Sequence, residues 1–493
     1  MMPKKYYLTT PVYYVNDVPH IGHAYTTIAA DVLARYKRGQ GYEVHFLTGT
    51  DEHGQKVWKA AEAHGKKPQD YVDMVCQRFK AAWQVLGITN DDFIRTTDPR
   101  HIECVQKIFS RLLKQGDIYK GEYQGWYCTP CESFWTEGEL KEDVEGRKLC
   151  PDCGRATELL KEESYFFKLS KYQAKVLDHI NQRPDFIKPA SRRNEVIQFI
   201  KQGLRDLSIT RTAFPWGVVV PEDPSHVVYV WFDALINYIS AIGYPGDDKL
   251  FSKWWPADVH IMGKEIVRFH AVIWPAMLLA LDLPLPKTVF GHGWWTVEGE
   301  KMSKTSGNVV DPVALSSQYG VDVVRYFILR EVAFGADGDF SMTSFINRYN
   351  ADLANDLGNL LSRTVTMIEK YFGSKVPEPM SKITEELTLA VEKVDQQMDQ
   401  LALADALGTI WGLISGANNY IEKNAPWNLA KNKEEEKLAE VMVKLYETLL
   451  MVARLIAPFM PETSVRMLAQ LNPQERSVKK GEPLFPRLQK PTN

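Results

Sequence analysis

The chain has 493 residues, 45% of them hydrophobic and 25% charged, with a formal net charge of −3. This length exceeds what one hydrophobic core sustains and predicts about two to four domains of ordinary globular type. The charge balance excludes a protein basic all over that coats nucleic acid, and leaves room for a local basic surface that binds RNA.

Residues 1–10 carry two lysines and then a β-like run, without the apolar centre of a signal peptide. Lys5 to Thr10 predicts a buried strand, and Pro11, Asn16, Asp17 and Pro19 predict a turn region after it. Tyr25, Ile28, Ala29, Val32, Leu33 and Tyr36 then recur at helical spacing, so His20 to Arg38 predicts an amphipathic helix that Gly39 and Gly41 end. Glu43 to Thr48 predicts the next strand. A strand, a helix and a strand in this rhythm form a βαβ unit and imply a parallel sheet. Cys76 and Cys104 stand alone in helix-like stretches and read as small buried apolar residues.

Two regions interrupt the rhythm. The first, residues 121–220, carries the other four cysteines and ends in short β-like runs. Further on, the longest apolar run, Ala271 to Leu281, contains Pro275 and is too short to span a bilayer, so it predicts a buried helix. The second region begins near Phe345 and reads as helical almost to the end. In it Leu438, Val441, Met442, Leu445, Leu449 and Val452 form an apolar stripe at three- and four-residue steps. Lys431 to Lys437 reads as a solvated loop and helix start. The last stretch, Lys479 to Asn493, is rich in Pro and Lys and predicts a loose tail that wraps back. The chain shows no internal repeat. A cytoplasmic protein with reduced cysteines and no membrane partner is expected.

Three motifs carry chemistry. His20-Ile21-Gly22-His23 lies at the turn into the first helix, where unpaired backbone N–H groups and a positive dipole end seat phosphate. Two imidazoles there can donate to a phosphate whose charge grows in a transition state. Read alone, they are equally a pair of helix-start histidines without a role. Lys301-Met302-Ser303-Lys304-Thr305, followed by Ser306 and Gly307, reads as a mobile cationic loop suited to a polyphosphate leaving group. Read alone, it is a solvated surface turn. The third motif is Cys128-x-x-Cys131, eighteen intervening residues, then Cys150-x-x-Cys153 and Gly154. That spacing points to a closed structural zinc site with four cysteine ligands that holds a fold, one ion per chain. An iron–sulfur cluster remains open, and disulfides are disfavoured by the compartment. No phosphate-binding GxxxxGK[ST] loop is present.

The first two motifs, in this order, resemble the two signatures of class I aminoacyl-tRNA synthetases; the second ends in Thr305 rather than serine and keeps the hydroxyl. The resemblance narrows to the methionyl-tRNA synthetase family. It rests on Thr9-Thr10-Pro11-Val12-Tyr13-Tyr14-Val15-Asn16, Gly49-Thr50-Asp51-Glu52-His53-Gly54, Arg205-Asp206-Leu207-Ser208-Ile209-Thr210-Arg211, Tyr229-Val230-Trp231-Phe232-Asp233-Ala234 and Gly263-Lys264-Glu265-Ile266-Val267-Arg268-Phe269-His270. It runs from the first strand into the helical carboxyl half.

The resemblance implies an α/β fold: a Rossmann-like parallel-sheet catalytic domain, a zinc-knuckle connective insert and an all-α anticodon-binding bundle. The expected boundaries are 1–117 and 225–290 for the two catalytic halves and 118–224 for the insert. They continue with 291–345 for the lysine loop and stem-contact region and 346–493 for the bundle. It implies that Asp51 pairs with the substrate ammonium, and a carboxylate at a strand end suits that task. It implies a side-chain pocket of Val12, Tyr14, Trp231, Ala234, Leu235, Tyr238, His270 and Trp274, where a soft thioether packs against aromatic rings. Gly263 and Glu265 are expected near the adenosine. Asn359, Arg363 and Trp427 are expected to bind the anticodon, the indole by stacking and the other two by reading base edges. Without the resemblance these three read as helix-surface or packing residues.

The implied activity is that of a methionine–tRNA ligase, which serves protein synthesis including its initiation. Methionine is activated by ATP with magnesium and passed to the terminal adenosine of tRNA(Met). His20, His23, Lys301 and Lys304 stabilise phosphate charge, with Gly22 letting the ATP phosphates approach the backbone. No DNA is expected as a partner. The chain ends soon after the helical region, so a monomer is expected. Competing readings are a class I synthetase for valine, isoleucine, leucine or cysteine, and a catalytically silent zinc-ribbon RNA-binding protein. The large synthetases among the first group carry an insert roughly twice the length of this one. Intact His20, His23, Lys301, Lys304 and Asp51 weigh against the second.

Overall fold

Apolar runs buried on both faces build a six-stranded sheet, seen in a computed structural model that describes residues 3–15, 19–131, 133–135, 137–301, 308–378 and 385–489. In chain order the elements that matter here are β1 (Lys5–Tyr14), α1 (Ile21–Gly39), β2 (Glu43–Asp51), β3 (Asp92–Arg95), α2 (Pro99–Lys114), β4 (Ile187–Lys188), α3 (Val230–Leu235), β5 (Val259–Gly263) and β6 (Val289–His292). The sheet order is β3-β2-β1-β5-β6-β4, and every pairing is parallel. Parallel strands covered on both faces read as continuous apolar runs rather than alternating ones. The five residues of β5 are all buried. The order reverses between β1 and β5, which opens a crevice beyond the carboxyl ends of those strands.

β1 is longer than the sequence suggests. Pro11 was expected to end it, yet the strand runs to Tyr14, with a register shift against β2 between Thr9 and Val12. A proline lacks the N–H a ladder needs and is tolerated where a bulge interrupts the pairing. The bulge carries the strand on to Val12 and Tyr14 at the crevice.

The chain divides into two compact units: residues 1–19, 37–84 and 88–292, and residues 20–36, 85–87 and 293–493. In the first, α2 turns Val105, Ile108, Phe109 and Leu112 into the core, each less than 2% exposed and worth roughly 1.5–3 kcal/mol of burial. The insert is a long antiparallel pair, Ile118–Cys128 against Glu158–Phe167, registered from Ile118 opposite Phe167 to Tyr127 opposite Glu158. The expected buried helix at 271–281 is present as a π-turn, Phe269–Ile273, leading into Trp274–Ala280. Pro275 stands at the start of the α-helical part, where its missing N–H costs least. No helix among the described residues is long and apolar enough to cross a membrane.

In the second unit, α1 joins the carboxyl-terminal part of the chain through a buried ion pair. Arg325, on α4 (Val321–Arg330), is fully buried. Its Nη2 donates to Asp31 Oδ2 at 2.7 Å and to the Pro458 carbonyl at 3.0 Å, and its Nε donates to the Phe459 carbonyl at 2.9 Å. Asp31 also accepts from Arg35 at 2.7 Å.

The bundle follows. A π-helical segment, Tyr349–Gly358, runs into α5 (Asn359–Phe372), and α6 (Leu403–Asn424), α7 (Pro426–Lys431) and α8 (Glu435–Ile456) come after it. The expected stripe on α8 is buried, from Leu438 at 5% exposure to Val452 at 0%. The tail does wrap back, and its described part is pinned. Asn350 exchanges two hydrogen bonds with the Leu488 backbone, and Tyr349 donates to the Pro486 carbonyl at 2.8 Å.

Losing Arg325 takes from the buried Asp31 one of its two cations, Arg35 remaining, and leaves the Pro458 and Phe459 carbonyls without that donor. Arg325→Met is therefore expected to destabilise the full chain by about 3 kcal/mol in urea unfolding, the lower end for a broken buried pair. A loss below about 1 kcal/mol, the worth of a surface pair, would contradict this assignment.

Candidate active site and metal knuckle

Asp51 ends β2, and the chain buries it together with the two ionisable residues that follow: Asp51 at 2%, Glu52 at 0% and His53 at 4% exposure. Such burial is tolerated only where each charge is met. Glu52 is gripped by Arg95, Nε to Oε1 and Nη2 to Oε2, both at 2.8 Å, and accepts from Thr50 at 2.7 Å and from Thr97. His53 Nδ1 meets Asp233 Oδ2 at 2.7 Å, and His101 Nε2 meets the other carboxylate oxygen at 2.8 Å. A carboxylate only accepts, so each imidazole presents an N–H to it. Burial alone would raise the Asp233 carboxyl, yet the two histidines hold it below its ordinary value.

An aromatic wall stands in the same unit. Trp231, on α3, stacks on Phe269 with ring centroids 3.8 Å apart and 9° between planes, and meets Tyr14 edge-on at 6.2 Å and His270 edge-on at 6.4 Å. Ala234 and Leu235 lie on the same short helix and are buried, as is Trp274. Tyr238 follows α3; its ring lies 5.9 Å from Trp274 and its hydroxyl 2.7 Å from His270 Nε2. His270 Nδ1 lies 2.9 Å from the Ile266 carbonyl. A carbonyl only accepts, so the ring proton sits on Nδ1, and Nε2 accepts from the Tyr238 hydroxyl. Burial lowers the His270 pKa to about 4, so the ring is neutral at pH 7. Val12, half-buried at the bulge of β1, packs against the surrounding core. A neutral, polarisable wall near a buried carboxylate suits an amino acid with an apolar side chain and a free ammonium.

Sequence reasoning missed several of these groups. Phe269, Glu52, His53 and Asp233 all lie inside the motifs quoted above, yet the sequence reading assigns none of them a role. Consecutive ionisable residues after an apolar strand were the available signal. Arg95 and His101, which complete the two networks, carried no local signal.

The phosphate motifs are placed as follows. His20 precedes α1, and the His20 and His23 rings lie 3.9 Å apart. The backbone N–H of His20 donates to His23 Nδ1 at 3.2 Å, and that of Gly22 donates to His20 Nδ1 at 3.1 Å. Both Nδ1 lone pairs are thereby used, so each ring carries its proton on Nε2 as a donor. Gly263 ends β5, and Glu265 sits in the following 3-10 turn; a Cβ at 263 would come 2.5 Å from the Glu265 carboxylate. Lys301 closes the short strand Glu300–Lys301, which pairs with Trp295–Val297. Lys304 and Thr305 lie outside the described residues.

The four cysteines converge. Their sulfurs all lie within 4.8 Å of one another, with Cys128 and Cys153 at 3.5 Å and Cys131 and Cys150 at 4.0 Å. None is in a disulfide. Thiolates around a tetrahedral zinc ion stand about 3.8 Å apart, given Zn–S bonds of about 2.3 Å. Cys128 ends a strand of the insert, and Gly154 at φ 71° lets its N–H turn back to the Cys150 carbonyl at 2.8 Å. The cluster can therefore hold a metal ion.

In the bundle, Asn359 is exposed and Arg363 half-buried on α5. Arg363 pairs with Glu422 at 2.7 Å, near the end of α6. Trp427 follows on α7 with 42% exposure, high for an indole.

Comparison with known proteins agrees with this geometry. Residues 6–365 match the model of the class I tRNA synthetases (M), and residues 372–486 match the anticodon binding domain of methionyl tRNA ligase. The chain is 56% identical to the methionine–tRNA ligase of Caldanaerobacter subterraneus subsp. tengcongensis, over 99% of this chain and 79% of that one. It is 50% identical to the methionine–tRNA ligase of Bacillus subtilis, over 98% and 78%. Among solved structures it is similar to Mycobacterium tuberculosis methionyl-tRNA synthetase in complex with methionyl-adenylate, with a TM-score of 0.93 and 43% identity over 98% of this chain and all of the other. With two family models in sequence and relatives matched over almost the whole of this chain, the chain belongs to the methionine–tRNA ligases of the class I tRNA synthetases.

Proposed function

We propose that this chain carries out its family's reaction, joining L-methionine to the terminal adenosine of tRNA(Met) at the expense of ATP, and that it does so with the residues named here. The observation that carries the residue-level reading is that the buried Asp51 is the strand partner of Tyr14, whose ring meets Trp231 of the neutral Trp231–Tyr238–His270 wall edge-on at 6.2 Å. Asp51 takes the ammonium of methionine, and Tyr14, Trp231, Tyr238, His270 and Trp274 surround its thioether, with Val12, Ala234 and Leu235 completing the floor. Because His270 is neutral, the wall offers no charge that would favour a polar side chain.

In the first step a carboxylate oxygen of methionine attacks the α-phosphorus of ATP, and the bond to pyrophosphate breaks. The Nε2–H groups of His20 and His23 are donors for the charge that grows on the phosphate oxygens. The Gly22 region lets phosphate approach the helix start. Gly263 and Glu265 flank the adenosine. Lys301 and Lys304 neutralise the departing pyrophosphate, and magnesium, which accompanies ATP, shares that task when bound. In the second step a ribose hydroxyl of the terminal adenosine attacks the activated carbonyl, and AMP leaves. No enzyme nucleophile is required, so catalysis is positioning plus charge stabilisation. Asn359, Arg363 and Trp427 read the anticodon. The reading extends to a cytoplasmic monomer that binds no DNA and no membrane, with a structural zinc ion in the knuckle.

Amino-acid-dependent ATP–pyrophosphate exchange with methionine, leucine, valine and cysteine tests the substrate assignment; exchange is expected with methionine alone, and a preference for another amino acid would refute it. In the same assay Lys304→Ala is expected to slow exchange by about 10²–10³-fold, the usual worth of one charge-stabilising donor, with methionine affinity nearly unchanged. Trp427→Ala should leave exchange intact and weaken tRNA charging, by about 1–3 kcal/mol if the indole stacks on a base. Metal analysis should find one zinc per chain, and cobalt substitution should give the absorption of a tetrahedral tetrathiolate site. Cys150→Ser should lose both signals.

A further inference from the structure

We infer that His53, held by the carboxylate of Asp233, is a positioning residue for methionine: it fixes the end of β2 so that Asp51 meets the ammonium at a set distance from the side-chain wall. The inference rests on the reading of Asp51 given above.

In an extended chain, alternate side chains point to opposite sides. The bond from Thr50 to Glu52 puts those two on one side, turned toward Arg95. Asp51 is the last residue of β2, and His53 follows two residues later. His53 Nδ1 is bound to Asp233 Oδ2 at 2.7 Å. Asp233 lies on α3, two residues after Trp231 and directly before Ala234, and is fully buried. The same carboxylate therefore ties the strand that carries the ammonium anchor to the helix that carries the wall.

His101 completes the brace. It comes from α2, is itself fully buried, and joins Asp233 Oδ1 at 2.8 Å and Ser240 Oγ at 2.9 Å. Two imidazole donors, one per carboxylate oxygen, leave the carboxylate little freedom to turn. The device fixes the distance between ammonium site and wall. That distance decides whether an amino acid of a given length fits, and it does not bear on ATP.

The test separates positioning from bulk stability. The amide nitrogen of asparagine stands close to where His53 Nδ1 stands and can donate the same bond, whereas that of glutamine reaches one carbon too far. In pyrophosphate exchange His53→Ala and His53→Gln are expected to raise the methionine KM by roughly tenfold to a hundredfold, the worth of a hydrogen bond to a buried charge. His53→Asn is expected to restore most of the loss, and the ATP KM should stay within about twofold in every variant. Methionine affinity measured by calorimetry should follow the same order. If His53→Asn and His53→Gln are equally impaired, or if the methionine and ATP KM values rise together, the proposal falls. Should His53→Ala fail to fold, the Asn–Gln pair still decides. Asp51→Asn runs alongside. If it leaves methionine binding intact, the ammonium assignment itself is wrong. If it abolishes binding while the His53 variants behave as wild type, only the present inference is overturned.

Discussion

The constraint behind the site is the burial of charge at the end of β2. An apolar strand delivers Asp51, Glu52 and His53 in succession into an interior where an unpaired charge costs several kcal/mol. Arg95 answers Glu52 with a two-pronged grip, and Asp233 answers His53. Most of the remaining geometry of the first unit follows. β3 must bring Arg95 alongside β2, α2 must carry His101 inward, and α3 must present Asp233. Once α3 is fixed by that need, Trp231, Ala234 and Leu235 are fixed with it, and the wall takes its place.

The second unit solves a similar problem with different parts. Arg325 is buried as completely as Asp233, and its guanidinium serves Asp31 and the backbone carbonyls of Leu86, Pro458 and Phe459 at once. α1 is thereby committed to the carboxyl-terminal unit although it follows β1 directly in sequence. The imidazoles at its start have their Nδ1 atoms occupied by backbone N–H groups, which sets the tautomer that donates through Nε2. Each buried ion pair sets which elements meet, whereas a well-packed apolar pair of similar volume is often equally stable.

Local signals in the sequence carried far. The helical period from Tyr25 to Tyr36, the stripe from Leu438 to Val452, the run Ala271 to Leu281 and the two CxxC pairs each lie within one element or one hairpin, and the structure shows each as expected. Pro11 was misread because a proline in an apolar run reads as a stop, whereas a bulge lets the strand continue. The pairings His53–Asp233, His101–Asp233 and Asp31–Arg325 join residues 180, 132 and 294 positions apart. No periodicity reports such contacts. The pocket residues came from family resemblance rather than from pattern, because a buried tryptophan or tyrosine looks the same in a core as in a binding wall. Phe269 illustrates the limit: it lies inside a quoted motif, directly before His270, and only the stack on Trp231 reveals its place.

The central claim is that Asp51 and the Trp231–Tyr238–His270 wall are two ends of one amino-acid site. A crystal structure of the chain with methionine bound tests it most directly. The account predicts the α-ammonium within hydrogen-bonding distance of the Asp51 carboxylate and the sulfur against the Tyr238 hydroxyl and the His270 ring. Methionine seated elsewhere, or seated there with its ammonium turned away from Asp51, would contradict it.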